Sequence, residues 1–201
     1  MQRMPFVLTV TPETDAALVM AQLTAATEKK KVENFSVWGI GAFIFCYGEY
    51  PDETTFSQEE LPLPAGAAMF ALPGTLPLMY HDIGILRQDK SLIRHRVFAT
   101  KLKDGCAEEY KRRHDALIEA RGDAVKEGPE SNFTIWNANG YIFGYCELVK
   151  AFDHEKTEEE KASEIAWETR QLEIMDWLTD DVDWITGQKH DPVRRLDCGC
   201  V

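Results

Sequence analysis

The feature that most constrains this chain is a match of the sequence to itself. Phe35-Ser36-Val37-Trp38 is echoed by Phe133-Thr134-Ile135-Trp136. Ile44-Phe45-Cys46-Tyr47-Gly48-Glu49 is echoed by Ile142-Phe143-Gly144-Tyr145-Cys146-Glu147, at the same offset of 98. Six of the fifteen positions from Phe35 to Glu49 are identical in the second segment. Upstream, Phe6–Val10 pairs with Phe98–Leu102 at an offset of 92, and the difference falls in the loop 122–131, where Gly122, Gly128 and Pro129 break regular structure. Two matched segments in one order imply two divergent copies of a single unit, over residues 1–90 and 91–201.

Each copy reads as strand, helix, strand, strand, helix, strand. In the second copy, residues 97–102 form a strand, and Asp104 opens a helix that ends near Gly122. Two apolar runs, Phe133–Trp136 and Tyr141–Leu148, flank Asn139-Gly140, a hairpin signal because both residues tolerate positive φ. A long helix from about Thr157 to Asp180 is expected from the helical spacing of Trp167, Ile174, Leu178, Val182 and Ile185, and a last strand near Val193–Cys198. In the first copy, Thr11-Pro12 reads as an N-cap with proline in the first helical position. Pro62, Pro64, Pro73 and Pro77 shorten its second helix or replace it with loop, and Met79–Leu86 reads as its last strand. The expected fold class is α+β: two ferredoxin-like β-α-β-β-α-β units. Laid face to face, their sheets would close an intrachain pseudo-dimeric α/β barrel with the helices outside.

Composition narrows the function. A formal net charge of -12, with no basic stripe, sets nucleic-acid partners aside. No apolar run is long enough for a membrane span, and the start of the chain lacks a secretory signal, so no membrane partner and a cytoplasmic location are expected. The five cysteines are odd in number and irregularly spaced, which favours reduced thiols. Cys198-Gly199-Cys200 lacks the four ligands of a structural zinc, so no metal is expected.

The first helix of the second copy is the one whose residues could carry chemistry. Its inward stripe is Ala107, Tyr110, His114, Leu117 and Ile118, so a tyrosine and a histidine four residues apart sit where apolar groups belong. A satisfied core histidine is one reading; a general acid/base pair in a partly dry pocket is the other. Aligned from Thr11 with Lys103, the first copy has Leu18 and Gln22 at these places, without the pair.

Tyr110-Lys111-Arg112-Arg113-His114, with strand Val97–Leu102 before it and Asn132-Phe133-Thr134-Ile135-Trp136 and strand Tyr141–Leu148 after it, resembles the L-rhamnose mutarotase family. The resemblance spans about Arg96 to Met175. It implies the dimeric α/β-barrel fold, interconversion of sugar anomers, no metal or cofactor, and a small sugar as partner, with the chain a monomer or homodimer. Tyr110 and His114 fall on the family's acid/base pair. Where the family has a tyrosine in its second strand this chain has Phe133, and its adjacent tryptophans find Gln171-Leu172 in the nearest register. Phe133 or Trp136 would pack on apolar faces of the sugar, though strand alternation puts the two on opposite faces. A non-catalytic sugar-binding or structural relic, and a cofactor-free oxygenase or isomerase of the same fold, are the other readings.

Overall fold

The computed structural model describes residues 2–51, 57–125, 128–150, 156–179 and 193–197. It divides into two compact units, Met1–Pro77 with Pro192–Val201, and Leu78–Asp191. These boundaries differ from 1–90 and 91–201, because the strand that follows each ferredoxin-like core joins the other sheet.

The first unit contains β1 (Gln2–Arg3), β2 (Phe6–Val10), α1 (Ala16–Lys29), β3 (Glu33–Ile40), β4 (Phe43–Tyr50) and β5 (Ala67–Ala71). Its sheet also takes in a strand from far along the chain, Arg194–Arg195, which pairs with β3 and is labelled β11 below. The order is β11-β3-β4-β2-β5, with β1 on β4. The helix starts later than Thr11-Pro12 predicts: Asp15 is the N-cap, its carboxylate accepting from the Leu18 amide at 3.1 Å. Val19 and Leu23 of α1 pack on Phe6 and Leu8 of β2. No second helix forms among the described residues of the proline-rich stretch; Leu61 instead enters the core beside α1.

The second unit contains β6 (Leu78–Asp82), β7 (Ile93–Leu102), α2 (Ala107–Arg121), β8 (Glu130–Ala138), β9 (Tyr141–Val149), α3 (Glu158–Leu172) and β10 (Met175–Trp177). Its order is β10-β7-β9-β8-β6. Asn139 (φ 52°) and Gly140 (φ 88°) make the β8–β9 hairpin turn, as their residue types predict. Gly122 (φ 59°) closes α2. A capping box holds the start of α3, the Thr157 hydroxyl accepting from the Glu160 amide at 3.2 Å and the Glu160 carboxylate from the Thr157 amide at 2.8 Å.

With the four strands β2–β5 and the four strands β7–β10 each numbered in chain order, both sheets contain the run fourth, first, third, second, which is the ferredoxin-like order. The segments Phe35–Glu49 and Phe133–Glu147 lie in antiparallel hairpins in both units. Three expectations are corrected. The helix expected to reach Asp180 ends at Leu172, and residues 175–177 form the fourth strand of the second unit by pairing with β7. Val182 and Ile185 lie outside the described residues. The strand expected near Val193–Cys198 does form at Arg194–Arg195 but belongs to the first sheet; Cys198 and Cys200 lie outside the described residues. Met79–Leu86 does not close the first copy: β6 pairs with β8, and β5 is the first unit's fourth strand. None of the described helices is long and apolar enough to cross a membrane.

Gly144 fixes the floor of the second unit. A Cβ there would overlap the Phe98 ring, so only glycine lets that ring cross β9. Gly144→Ala should therefore cost about 1–3 kcal/mol through overpacking, read as a lower urea midpoint with an unchanged m-value. An unchanged midpoint would show that Phe98 can move aside freely.

Candidate active site

The helix-facing side of the second sheet gathers Phe98 and Leu102 of β7, Ile135 of β8, Ile142 of β9, and Ile174 and Met175 around the end of α3, with Tyr110 of α2 set among them. Helix α2 turns Tyr110, Arg113 and His114 inward. Leu117, predicted to share that stripe, is 39% exposed. Arg113 is buried in its stead because it clamps α2 to α3: its Nε donates to Glu109 at 2.6 Å, one Nη to Glu173 at 3.0 Å, and the other to the Arg170 carbonyl.

His114 is 5% exposed and lies over Tyr110, with ring centroids 4.2 Å apart. Its Nδ1 is 2.9 Å from the Tyr110 carbonyl oxygen, one turn back. A carbonyl can only accept, so Nδ1 carries the proton and Nε2 presents a lone pair. The His114 ring also meets Trp167 of α3 and Tyr80 of β6, both edge-on at 5.4 Å. Tyr80 in turn stands edge-on to Phe133 at 5.4 Å, and Phe133 to Phe98 at 6.2 Å. Strand β6 is tied to α2 by an ion pair between Asp82 and Arg121. Trp177 packs on Phe98 at 5.9 Å and donates its indole N–H to Glu168 at 2.6 Å. The result is a histidine walled by aromatic rings from two helices and an edge strand.

Burial pushes the His114 pKa below its ordinary value; the Tyr110 carbonyl and Asp115 oppose that shift without reversing it. His114 is therefore a neutral base at neutral pH. Burial raises Tyr110 well above the usual phenol range, and burial together with the Asp82 charge pushes Tyr80 up to about 12. Both phenols remain protonated donors. The depressed histidine makes a stability prediction. A group whose folded pKa lies below its unfolded value of 6.5 favours folding above pH 6.5, and that contribution is lost as the pH falls through the folded pKa. Urea titrations from pH 8 downward should show this loss, and His114→Gln should flatten it; an equal loss in the variant would assign the effect to other groups.

The structure brings together three of the residues singled out from sequence, Tyr110, His114 and Phe133, the last through Tyr80. It does not bring in Trp136. That side chain takes the opposite face of β8 from Phe133 and Ile135, level with Phe143 of β9. The comparison with the first copy also shifts by one residue. The N-caps Asp15 and Cys106 are 91 apart, so the inward pair Tyr110 and His114 corresponds to Val19 and Leu23, both fully buried and apolar. The polar pair is thus particular to the second unit.

Sequence reasoning missed Tyr80 and Thr100, and took Gln171 only as the nearest register to the family's tryptophans. Tyr80 reaches the site only through the pairing of β6 with β8. Thr100 alternates with Phe98 and Leu102, which places it on the helix-facing side, where it is fully buried. Gln171 is one turn beyond Trp167 on α3 and 2% exposed; helical spacing could have put it on that face.

Comparison with known proteins bears on the second unit as a whole. A family model described as L-rhamnose mutarotase matches residues 95–195, half of the chain. The match takes in β7, α2, β8, β9, α3 and β10, and with them Tyr110, His114 and Phe133. None of the curated proteins and none of the solved structures matches the chain. With Tyr110 and His114 stacked on one inward helical face inside the matched region, the chain belongs to the L-rhamnose mutarotase family.

Proposed function

We propose that this protein is a mutarotase-like enzyme that interconverts the anomers of a rhamnose-like monosaccharide by general acid/base catalysis in its second unit. The observation that carries the reading is His114: neutral, oriented through Nδ1, with no hydrogen bond to Nε2 among the described residues. A histidine serving only to fill the core has no use for that lone pair. A catalytic one requires it.

Mutarotation needs two proton movements. His114 Nε2 takes the proton of the anomeric hydroxyl while the C1–O5 bond breaks, and the electron pair goes to O5. The Tyr110 hydroxyl gives O5 its proton. The open-chain aldehyde rotates about C1–C2, and O5 adds back to the other face. The two protons return, so nothing is consumed. Phe133 and Tyr80 offer apolar ring surface to the C–H faces of the sugar.

Saturation-transfer NMR between anomers tests the reading with L-rhamnose, L-fucose and other aldoses. Exchange above the buffer rate is the expected result for at least one sugar. Buffer-rate exchange for every sugar would remove the enzymatic reading and leave a non-catalytic member of the family.

A further inference from the structure

Among the described residues, two polar side chains on the helix-facing side of the second unit have no hydrogen-bond partner. The Gln171 amide is 2% exposed, and neither its Oε1 nor its Nε2 makes a hydrogen bond. Thr100 is fully buried, and its Oγ1 is unbonded. A buried amide or hydroxyl left in this state is destabilising, and most such groups in folded proteins are paired. Their positions are informative. Trp167, one turn before Gln171, touches the His114 ring, and the neighbouring Arg170 carbonyl accepts from Arg113. Phe98 and Leu102, on either side of Thr100, pack in the same cluster as Tyr110. One group thus stands on the sheet floor and the other on the helix that faces His114. The first unit supplies a control at the floor: at the offset of 92 that matches Phe6 with Phe98, Thr100 corresponds to Leu8, which is apolar and fully buried. The unpaired hydroxyl accompanies the unit that has the histidine.

We infer that Thr100 and Gln171 read hydroxyl groups of the sugar, so that this site selects a polyhydroxylated ligand by hydrogen bonds as well as by ring packing. This rests on the reading of the second unit as a sugar site. The chemistry fits a polyol. An amide offers a donor and an acceptor about one carbon apart, which suits two neighbouring hydroxyls, and the threonine hydroxyl can give or take one bond. Sites that hydrogen-bond a substrate hydroxyl discriminate strongly against analogues that lack it, because the protein group is then left buried and unpaired.

The experiment compares wild type with Thr100→Val, Thr100→Ser and Gln171→Met, close in shape and different in hydrogen bonding. Sugar affinity is measured by NMR titration with L-rhamnose, L-mannose, L-fucose and L-galactose, thermal midpoints without sugar, and anomer exchange in parallel. Thr100→Val and Gln171→Met should each weaken binding of the preferred sugar about three- to tenfold. Their sugar-free midpoints should hold or rise by about 2–4 °C, since an unpaired group has been removed. Thr100→Ser should bind as wild type does. Affinity that is unchanged, or that falls only together with the thermal midpoint, overturns the inference, as does the absence of binding by any of the four sugars. Wild-type binding without anomer exchange removes the mutarotase reading and leaves this inference standing. Exchange with full affinity in both variants does the reverse.

Discussion

Anomer exchange should fall by about 10²–10⁴-fold in His114→Ala, the span that general acid–base catalysis typically supplies. The size of the loss follows from the site. Nδ1 is committed to the Tyr110 carbonyl, so Nε2 is the ring nitrogen left to take a proton. Tyr110→Phe should cost less, because water can still protonate the ring oxygen, and should leave sugar affinity nearly intact. The loss in His114→Ala should appear in kcat rather than KM, since the ring is enclosed by Tyr80, Tyr110 and Trp167 and packing on the sugar survives its removal. Exchange at the wild-type rate in His114→Ala would keep the activity and move the site elsewhere.

The largest loss of stability should come from Lys90→Met. Glu147 is fully buried on β9, and Lys90 donates to both of its oxygens, at 2.9 and 2.8 Å. Asn132 adds a bond at 3.1 Å and the Tyr145 hydroxyl one at 3.3 Å. Removing the lysine takes away the ammonium that bonds both oxygens of this buried carboxylate, at a cost of about 3 kcal/mol; Lys90 is 39% exposed, which favours the low end of the range for broken buried pairs. Lys90→Met with Glu147→Gln should recover much of that loss, because the charge goes too. Urea unfolding of the two single variants and the double variant measures the coupling. A Lys90→Met midpoint equal to wild type would show that the ammonium contributes nothing net.

The hairpins, the α2 helix and the Tyr110–His114 pair were legible in the sequence because each is set by neighbours: positive-φ residues at a turn, alternation along a strand, a four-residue step on a helix. The fourth strand of each ferredoxin-like core was not. Ala67–Ala71 lies in a proline-rich stretch with no alternation, and Met175–Trp177 continues a helical spacing before the chain turns to pair with β7. Their state is decided by open backbone edges elsewhere in the fold, which no local pattern records. Tyr80 was hidden for the same reason, and Arg113 because a guanidinium is buried only when the far helix offers it acceptors. Thr100 and Gln171 were visible as positions but not as unpaired groups, since that depends on what surrounds them in space.

The placement of β11 bears on how the chain is made. The Val37 amide donates to the Asp197 carboxylate across 160 residues of sequence, and the Leu196 amide to the Val37 carbonyl beside it. Most of the first sheet can form from residues near the start, yet one edge waits for a segment synthesised after the whole second unit. On the ribosome that edge of β3 stays open through much of elongation, and closing so long a loop is slow. An exposed strand edge invites pairing with other chains. Synthesis should therefore be the most aggregation-prone stage in the life of this protein, and a nascent chain stalled before Arg194 the form most in need of a chaperone.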